Sequence, residues 1–583
     1  MRLFLVCFFC VLLACTPFVS TAGLANGLVM GKVFWFHLIL WLGYIVLFVS
    51  FFKQKFFRWN WSDGGLIVYF LSVLFTYSWN LNPEPEKLSF AVQLIGLWFV
   101  MRQIFTLYPQ MNLFCILLAI TCGLAEALLG IAQLHGYSPS NHFFFNLTGT
   151  FYNPGPYSGY IAVLLPFCFA LTHHRIILLR YYGWVCAIAF LLVLPAGMSR
   201  TAWIAAFSGI AFLFLQRYGH QFRQVWKKRY RLLLVGGIVI ILAGGAMGYS
   251  LYQFKKNSAD GRFLMWRITT GIIVRHPLNG TGLGGFPSAY AQSQAEYLTG
   301  ATQQEKTIAG CPEYAFNEFL QIAAEQGIPS LLIFLFWMGN IAYSAKRKRL
   351  YPILAFLLAL SLFACASYPL QLPEFWILLV VFGAMAVTSK EEIMEKQSSI
   401  RQITTIAILS VFLVAGISTS VQQRKYYVAY QAWNRLKSLY QNQAYEAAEE
   451  EYRKWMPMLN HKPEFLFEAA QCYAKTGNRP GAIRLLRRAE KLSSDPMIHY
   501  VLAKNEQALG FFPEAEQTLL YAIRILPERL YPYYLLMLLY AEPDFYQPEK
   551  IYAAADSLLF KIPKTDSPAV REMQRKAKAL RAK

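Results

Sequence analysis

Three arginines carry the most specific chemistry in this sequence. Arg262 and Arg267 belong to one string, Gly261-Arg262-Phe263-Leu264-Met265-Trp266-Arg267, and Arg200 follows a serine between two apolar runs. A guanidinium is planar and holds its donors in a fixed fork, so it matches two phosphate oxygens at once. The three together would form a clamp for a diphosphate headgroup. Just downstream runs Arg275-His276-Pro277-Leu278-Asn279-Gly280-Thr281-Gly282-Leu283-Gly284-Gly285-Phe286. Its glycines predict a tight turn that can present backbone N–H groups to an anion. No Walker lysine follows, which excludes a nucleotide loop. The ten cysteines show no metal-ligand spacing, and most lie in or beside apolar runs as small core residues. No metal and no cofactor is expected. Cys311 and Cys472, the extramembrane pair, are too few for a disulfide framework.

The elements that must position these residues are apolar helices. Of 583 residues 56% are hydrophobic and only 15% charged, where a soluble chain carries about one quarter charged. Uninterrupted runs approach the ~20 residues that cross a bilayer. They predict about thirteen spans, at roughly 3–21, 33–52, 65–79, 88–106, 111–134, 157–172, 181–198, 201–216, 232–252, 328–345, 351–367, 373–388 and 402–421. The first is expected to be a retained helix. The competing reading is a secretory signal peptide, with Leu12-Leu13-Ala14-Cys15 as a faint lipoprotein cleavage box.

Charge then orients the spans. Much of the net +22 sits in short basic clusters between apolar runs, as cytoplasmic loops require. No compact basic and aromatic groove is present, so nucleic acid is excluded as a partner and membrane lipid is expected. Placing Lys53/Lys55/Arg58, the stretch 217–231 and Lys346-Arg347-Lys348-Arg349 in the cytoplasm puts the N-terminus inside. Pro83-Glu84-Pro85-Glu86, the segment 135–156, the turn at Ser199-Arg200 and a long loop of about 253–327 then fall on the outer face. Lys255, Lys256, Arg262, Arg267 and Arg275 lie there against the usual bias. Leu264, Ile268 and Ile272 recur at helical spacing, which predicts a helix along the membrane surface.

After Val421 the chain turns charged and amphipathic. Ala470, Tyr473, Ala482, Leu486 and Ala489 reproduce the small, aromatic, large-apolar spacing of a tetratricopeptide repeat (TPR). Ala503, Ala515, Leu519, Ala522 and Pro527 repeat it further on, and Leu436, Ala448 and Tyr452 give a weaker earlier copy. A degenerate fourth copy ends at Pro563. Small residues let two helices approach closely, and each hairpin hides its apolar face by stacking on the next. The fold class is therefore all-α: a polytopic domain 1–421 and an α-solenoid domain 422–583. The solenoid either binds a protein partner or props the membrane domain.

Four segments resemble the O-antigen ligase and polymerase superfamily (the Wzy-C family), which includes protein O-oligosaccharyltransferases. Gly149-Thr150-Phe151-Tyr152-Asn153-Pro154 resembles its G-T-F-x-N-P stretch, and Ser199-Arg200-Thr201-Ala202 its S-R-[TG]-[AG] motif. Gly261-Arg262 through Trp266, with Pro277 and Gly280-Thr281-Gly282-Leu283-Gly284, resembles its R-x(3)-W and P-x(2)-G-x-G-x-G block. Asn317-Glu318-Phe319-Leu320-Gln321, with Glu325 and Gly327, resembles the segment that closes the outer loop. Together they cover roughly 145–345.

The resemblance implies a metal-independent glycosyltransferase of the GT-C type in the bacterial inner membrane, with its C-terminal domain periplasmic. The donor would be a glycan on polyprenyl (undecaprenyl) diphosphate. The acceptor would be a lipid A core, a growing glycan or a protein. Arg200 and Arg262 would hold the leaving diphosphate. Asn153, Trp266, Gly282, Gly284 and Asn317 would shape the substrate loop. The family's ligases carry His before the asparagine, where this chain has Phe316, which takes no proton. A base would then come from Glu313, Glu318 or His276, or donor activation by the arginines would suffice. Two alternatives stand beside the ligase or polymerase: an O-oligosaccharyltransferase whose repeats recruit the acceptor, and a non-catalytic transporter or assembly scaffold.

Overall fold

The computed structural model describes residues 2–53, 57–80, 83–221, 223–224, 256–388, 399–563 and 566–581. The predicted span 232–252, Lys55, Lys255 and most of the basic stretch 217–231 lie outside them. Every ordered element is helical and no strand occurs among the described residues. The helices, in chain order, are α1 (Arg2–Ala14), α2 (Gly27–Lys53), α3 (Trp61–Trp79), α4 (Pro85–Leu107), α5 (Met111–Leu134), α6 (Pro154–Leu171), α7 (Ile177–Val193) and α8 (200–221). They continue as α9 (Lys256–Arg275), α10 (Phe286–Tyr297), α11 (Gln303–Ile308), α12 (Glu318–Arg347), α13 (Tyr351–Ala364), α14 (Pro373–Val387) and α15 (Ser399–Gln441). Eight follow: α16 (Tyr445–Leu459), α17 (Pro463–Lys475), α18 (Arg479–Ala489), α19 (Pro496–Ala508), α20 (Phe512–Ile525), α21 (Leu530–Tyr540), α22 (Pro548–Phe560) and α23 (Pro568–Arg581).

Among the described residues six helices are long and apolar enough to cross a membrane: α2, α4, α5, α6, α12 and α15. Helices α1, α7, α13 and α14 are apolar but shorter. Each predicted span that falls on described residues overlaps a helix, although the first helix ends at Ala14, short of the expected 3–21. The chain thus has the make-up of a multi-pass membrane protein. The outer faces fit that reading, since Leu178, Ile188 and Leu192 of α7 and Phe207 of α8 are mostly exposed. An apolar face of that extent needs a cover, and lipid is one.

The chain divides into two compact units: Met1–Ser78, Pro85–Phe254 and Phe316–Val428 in the first, Trp79–Glu84, Lys255–Ala315 and Ala429–Lys583 in the second. In the first, α4 is buried along most of its length and packs on α2 and α14, while α6 packs on α7 and α13. Arg102 of α4 and Asp63 of α3 form a fully buried pair near one end of these helices. The Arg102 Nε and Nη2 donate to the two Asp63 oxygens at 3.2 and 3.1 Å, and Trp98 Nε1 adds a third donor at 2.7 Å. Nη1 reaches Thr388 and Nη2 the Arg58 carbonyl. Both charges are therefore satisfied, which is the condition for tolerating them away from water.

In the second unit α16–α23 stack as successive pairs, each helix on the next. The small and large residues of the repeat pattern form its interior: Ala470, Ala482, Leu486, Ala489, Ala503, Ala515, Leu519 and Ala522 are all buried. Helices α9 and α10 pack together, and α10 docks on α20, where Gln294 Nε2 donates to the Ile525 carbonyl at 2.8 Å. Leu264, Ile268 and Ile272 are buried inside this unit, so the apolar face predicted for a membrane surface is used for internal packing instead. A face of that width suits either cover, and periodicity alone does not choose between them.

The Arg102–Asp63 pair gives a test of what holds the first unit together. Asp63→Ala strands the Arg102 charge and should cost about 3–5 kcal/mol. The double variant Asp63→Ala/Arg102→Met should recover much of that loss. Thermal unfolding in detergent measures both, and a double variant no more stable than the single would contradict the assignment.

Candidate functional site

In the first unit the Gly149 to Pro154 segment is held from several sides. Gln133 of α5 accepts from the Thr148 and Gly149 amides at 3.0 and 2.8 Å. Glu126, also on α5, accepts from the Thr150 amide at 3.0 Å and from its hydroxyl. Lys32 of α2 donates to the Thr150 carbonyl at 3.2 Å and pairs with Glu374 of α14 at 2.5 Å, and both of those charged side chains are buried. The ammonium also lies over the Phe151 ring, 4.7 Å from its centroid. Asn153 then caps α6, accepting from Gly155 N at 3.0 Å ahead of a proline-led first turn.

The arginine motif meets this segment at the start of α6. A Cβ on Gly197 would collide with the Ser158 hydroxyl, so only glycine lets the turn before α8 approach so closely. Ser199 caps α8 through the Ala202 amide, at 3.4 Å, and places Arg200, half-buried, in its first turn. Met198 holds φ 48°, a left-handed conformation that costs a non-glycine residue about 1–3 kcal/mol.

The closing motif attaches to the same region through the turn before α14. Asn317 caps α12, accepting from the Phe319 and Leu320 amides, both at 3.1 Å. The Glu318 carboxylate is buried and accepts from Leu370 N at 2.6 Å and from Gln371 Nε2 at 2.9 Å. Phe316, at φ 51°, sets its ring edge-on to Tyr368 at 5.1 Å. Phe375, one turn along, meets Phe151 and Tyr160. Three of the four motifs are thus tied to one another in the first unit, through the first turn of α6 and the turn 368–375. Helix α12 is also broken: Gly327, at φ 82° and ψ 166°, separates a polar half from the apolar remainder. Glu318, Gln321 and Glu325 of that half are buried, with Gln321 donating to Glu325 at 2.9 Å. The sequence reading ended the outer loop at 327 because these polar side chains interrupt the apolar run. They belong instead to a buried half-helix, the kind of discontinuous element that forms substrate sites in membrane proteins.

The fourth motif lies in the second unit. Arg262 is half-buried on α9 and Trp266 Nε1 donates to the Ala315 carbonyl at 3.1 Å. Arg267 is exposed and committed to Glu305 and to the Tyr297 hydroxyl, both at 2.8 Å. The Tyr297 hydroxyl, ahead of the Thr302 amide, holds the Glu305 carboxyl below the usual range. Arg267 therefore ties α9 to α10 and α11. Gly282 and Gly284 take positive φ, as the tight turn requires. The three candidate bases stand in three settings: His276 is exposed beside a cleft in the second unit, Glu313 lines another cavity there, and Glu318 is buried in the first unit. Lys32, Glu126, Glu374 and the turn 368–371 escape motif reasoning. The one signal of the three charged residues is a charge in or beside an apolar run, which marks a functional residue by default.

Residues 184–335 match the family model Wzy_C, described as O-antigen ligase. The match covers the arginine, glycine-turn and closing motifs and stops short of Gly149 to Pro154. It supports membership of the ligase and polymerase superfamily. It also supports, coarsely, an enzyme with a glycan-transfer role at a membrane, working on lipid-linked glycan and glycan or lipid acceptors. No curated protein matches the chain.

The Glu318 geometry makes a direct prediction. Glu318→Ala leaves the buried Leu370 amide bare and the half-buried Gln371 amide without its acceptor, and should cost about 1–3 kcal/mol, chiefly from the first, whereas Glu318→Gln keeps one carbonyl acceptor and should lose less. Melting curves of the purified variants test this, and an alanine variant as stable as the parent would remove the positioning role.

Proposed function

We propose that the chain transfers a glycan from a polyprenyl (undecaprenyl) diphosphate to an acceptor at the outer face of the bacterial inner membrane, as an O-antigen ligase or polymerase does. The observation that carries this reading is the convergence of three motifs in the first unit, with Arg200 set in a capped first turn beside them. On this reading the C-terminal unit is periplasmic, and α16–α23 form a TPR-like array.

The chemistry is a substitution at the anomeric carbon. The bond from that carbon to the diphosphate oxygen breaks, the acceptor oxygen bonds to the carbon, and the electron pair leaves on the diphosphate. A guanidinium fixed at Arg200 stabilises that charge as it develops, and preorganised charge of this kind is commonly the largest contribution to a rate. The resemblance gives Arg262 the same ligand. The acceptor hydroxyl loses its proton, and Phe316 cannot take it. Glu318, already holding Leu370 and Gln371, is assigned to positioning the closing motif; His276 and Glu313 remain for the proton. Arg267, paired with Glu305, is assigned to positioning α9. The chemistry asks for no metal.

A second reading, transfer to protein, is favoured by the repeat helices that line the cavity beside Glu313 in the second unit. The two differ in acceptor only.

A deletion strain complemented with variants tests both. Arg200→Lys and Arg262→Lys keep the charge but lose the fork. One lost charge-assisted hydrogen bond, ~1.5–3 kcal/mol, corresponds to roughly a tenfold to hundredfold loss of turnover. Arg275→Lys keeps its exposed pair with Glu296 and should be nearly silent. Loss of lipid A-linked chains, of polymer length or of protein glycans assigns the acceptor. Parental glycan levels in both motif variants would overturn the reading.

A further inference from the structure

The second unit holds a cleft of about 1010 Å³ between the glycine turn and helices α18–α20. One wall is backbone. Asn80 Nδ2 donates to the Leu283 carbonyl at 2.8 Å, and a Cβ on Gly282 would collide with the Asn80 side chain. This anchor fixes a turn in which Gly280, Gly282 and Gly284 hold φ of 63°, 88° and 86°. The turn leads into α10, twelve residues long, whose N-cap is Gly285. Glycine has no side chain to cap the first turn, and Pro287 has no N–H, so Phe286 and Ser288 are the residues there that present a donor, with the helix dipole, to an anion. Gly284, Gly285 and Ser288 all line the cleft.

The other wall is basic. Arg487, Lys491 and Arg524 face it, against one carboxylate, Glu490. Arg487 is held by Glu506 at 2.5 Å and lies 3.5 Å from Glu490. Lys491 and Arg524 are exposed and make no ion pair among the described residues. His499 adds no charge, because burial, ahead of Arg487, pushes it down to about 4. Exposed amides of Gln292 and Gln517 stand between the walls. Two flat rings also line it: Trp79, 63% exposed, and Tyr521, over which the Arg524 guanidinium sits at 5.5 Å.

We propose that this cleft binds an acidic saccharide. Its carboxylate or phosphate docks between the α10 N-terminus and the Lys491 and Arg524 side chains. Its hydroxyls meet the Gln292 and Gln517 amides, and its apolar ring face lies on Trp79 or Tyr521. An acidic peptide would satisfy the cations, but it needs recesses for its apolar side chains. Beyond the two rings and the glycines, the apolar lining is Ala289 and Leu492. The volume lies at the upper end of the ~300–1,000 Å³ of small-molecule sites and suits several sugar units. The inference rests on the glycan-transfer reading for the kind of ligand present, but its test needs no turnover.

The full chain in lipid nanodiscs is titrated calorimetrically with tetragalacturonate, neutral maltotetraose, inorganic phosphate and hexaglutamate. Tetragalacturonate should bind at least tenfold more tightly than maltotetraose. The exposed double variant Lys491→Gln/Arg524→Gln should weaken it by roughly tenfold to a hundredfold, with Lys437→Gln as a silent control. Trp79→Ala should weaken both oligosaccharides. Arg200→Lys should bind tetragalacturonate normally, so failure of the transfer reading and failure of this site are distinguishable. Equal binding of maltotetraose, equal binding of hexaglutamate, binding of phosphate alone, or indifference to the double variant would each overturn the proposal.

Discussion

The first unit depends on one buried ammonium. Lys32 joins α2 to Glu374 of α14 and to the Thr150 carbonyl before α6, three parts of the chain far apart in sequence. Removing two charges from water costs several kcal/mol per ion, and such a pair survives where its other valences are filled. On the Lys32 side they are filled by the Thr150 carbonyl and the Phe151 ring, and Glu126 holds the Thr150 amide, while the second Glu374 oxygen is buried with no hydrogen-bond partner among the described residues. Everything that follows inherits this anchor. Thr150 sets the approach to Asn153, Asn153 starts α6, and Ser158 in the next turn receives Gly197 and the arginine motif behind it.

A second constraint is the turn 368–371, which borrows its acceptors from another helix. Glu318 supplies two, and in return the turn fixes the first residue of α12. Left-handed backbone at Met198 and Phe316 flanks the two motifs that enter this region. Strain of that kind persists only where the surroundings over-determine it. A pre-set cluster of capped helix starts serves charge stabilisation well, because its dipoles need not reorganise as the leaving group forms.

Much of the architecture is legible in the sequence because the signals are local. Apolar runs mark the helices of the first unit, and the spacing of Ala482, Leu486 and Ala489 marks a buried helix–helix seam. Asn153, Ser199 and Asn317 read as motif residues and turn out to share one physical job, capping the helix that follows. What is not legible depends on partners distant in sequence. Lys32 looks like a stray charge until Glu374 is beside it. Arg267 looks like a phosphate ligand until Glu305 and Tyr297 engage it. The polar half of α12 looks like loop because Glu318, Gln321 and Glu325 interrupt the hydropathy, although all three are buried. The amphipathic face at Leu264, Ile268 and Ile272 is read correctly as apolar and wrongly as lipid-facing, since the pattern does not name its cover.

On the proposed function, a glycan leaves a lipid diphosphate and arrives on an acceptor in one substitution. The direct measurement uses purified chain in proteoliposomes with a lipid-linked glycan labelled in both sugar and diphosphate, plus envelope acceptors and a metal chelator. One polyprenyl diphosphate should be released for each glycan transferred, at a rate the chelator leaves unchanged. Transfer without release of the diphosphate lipid, or release of free reducing sugar with no acceptor modified, would contradict it.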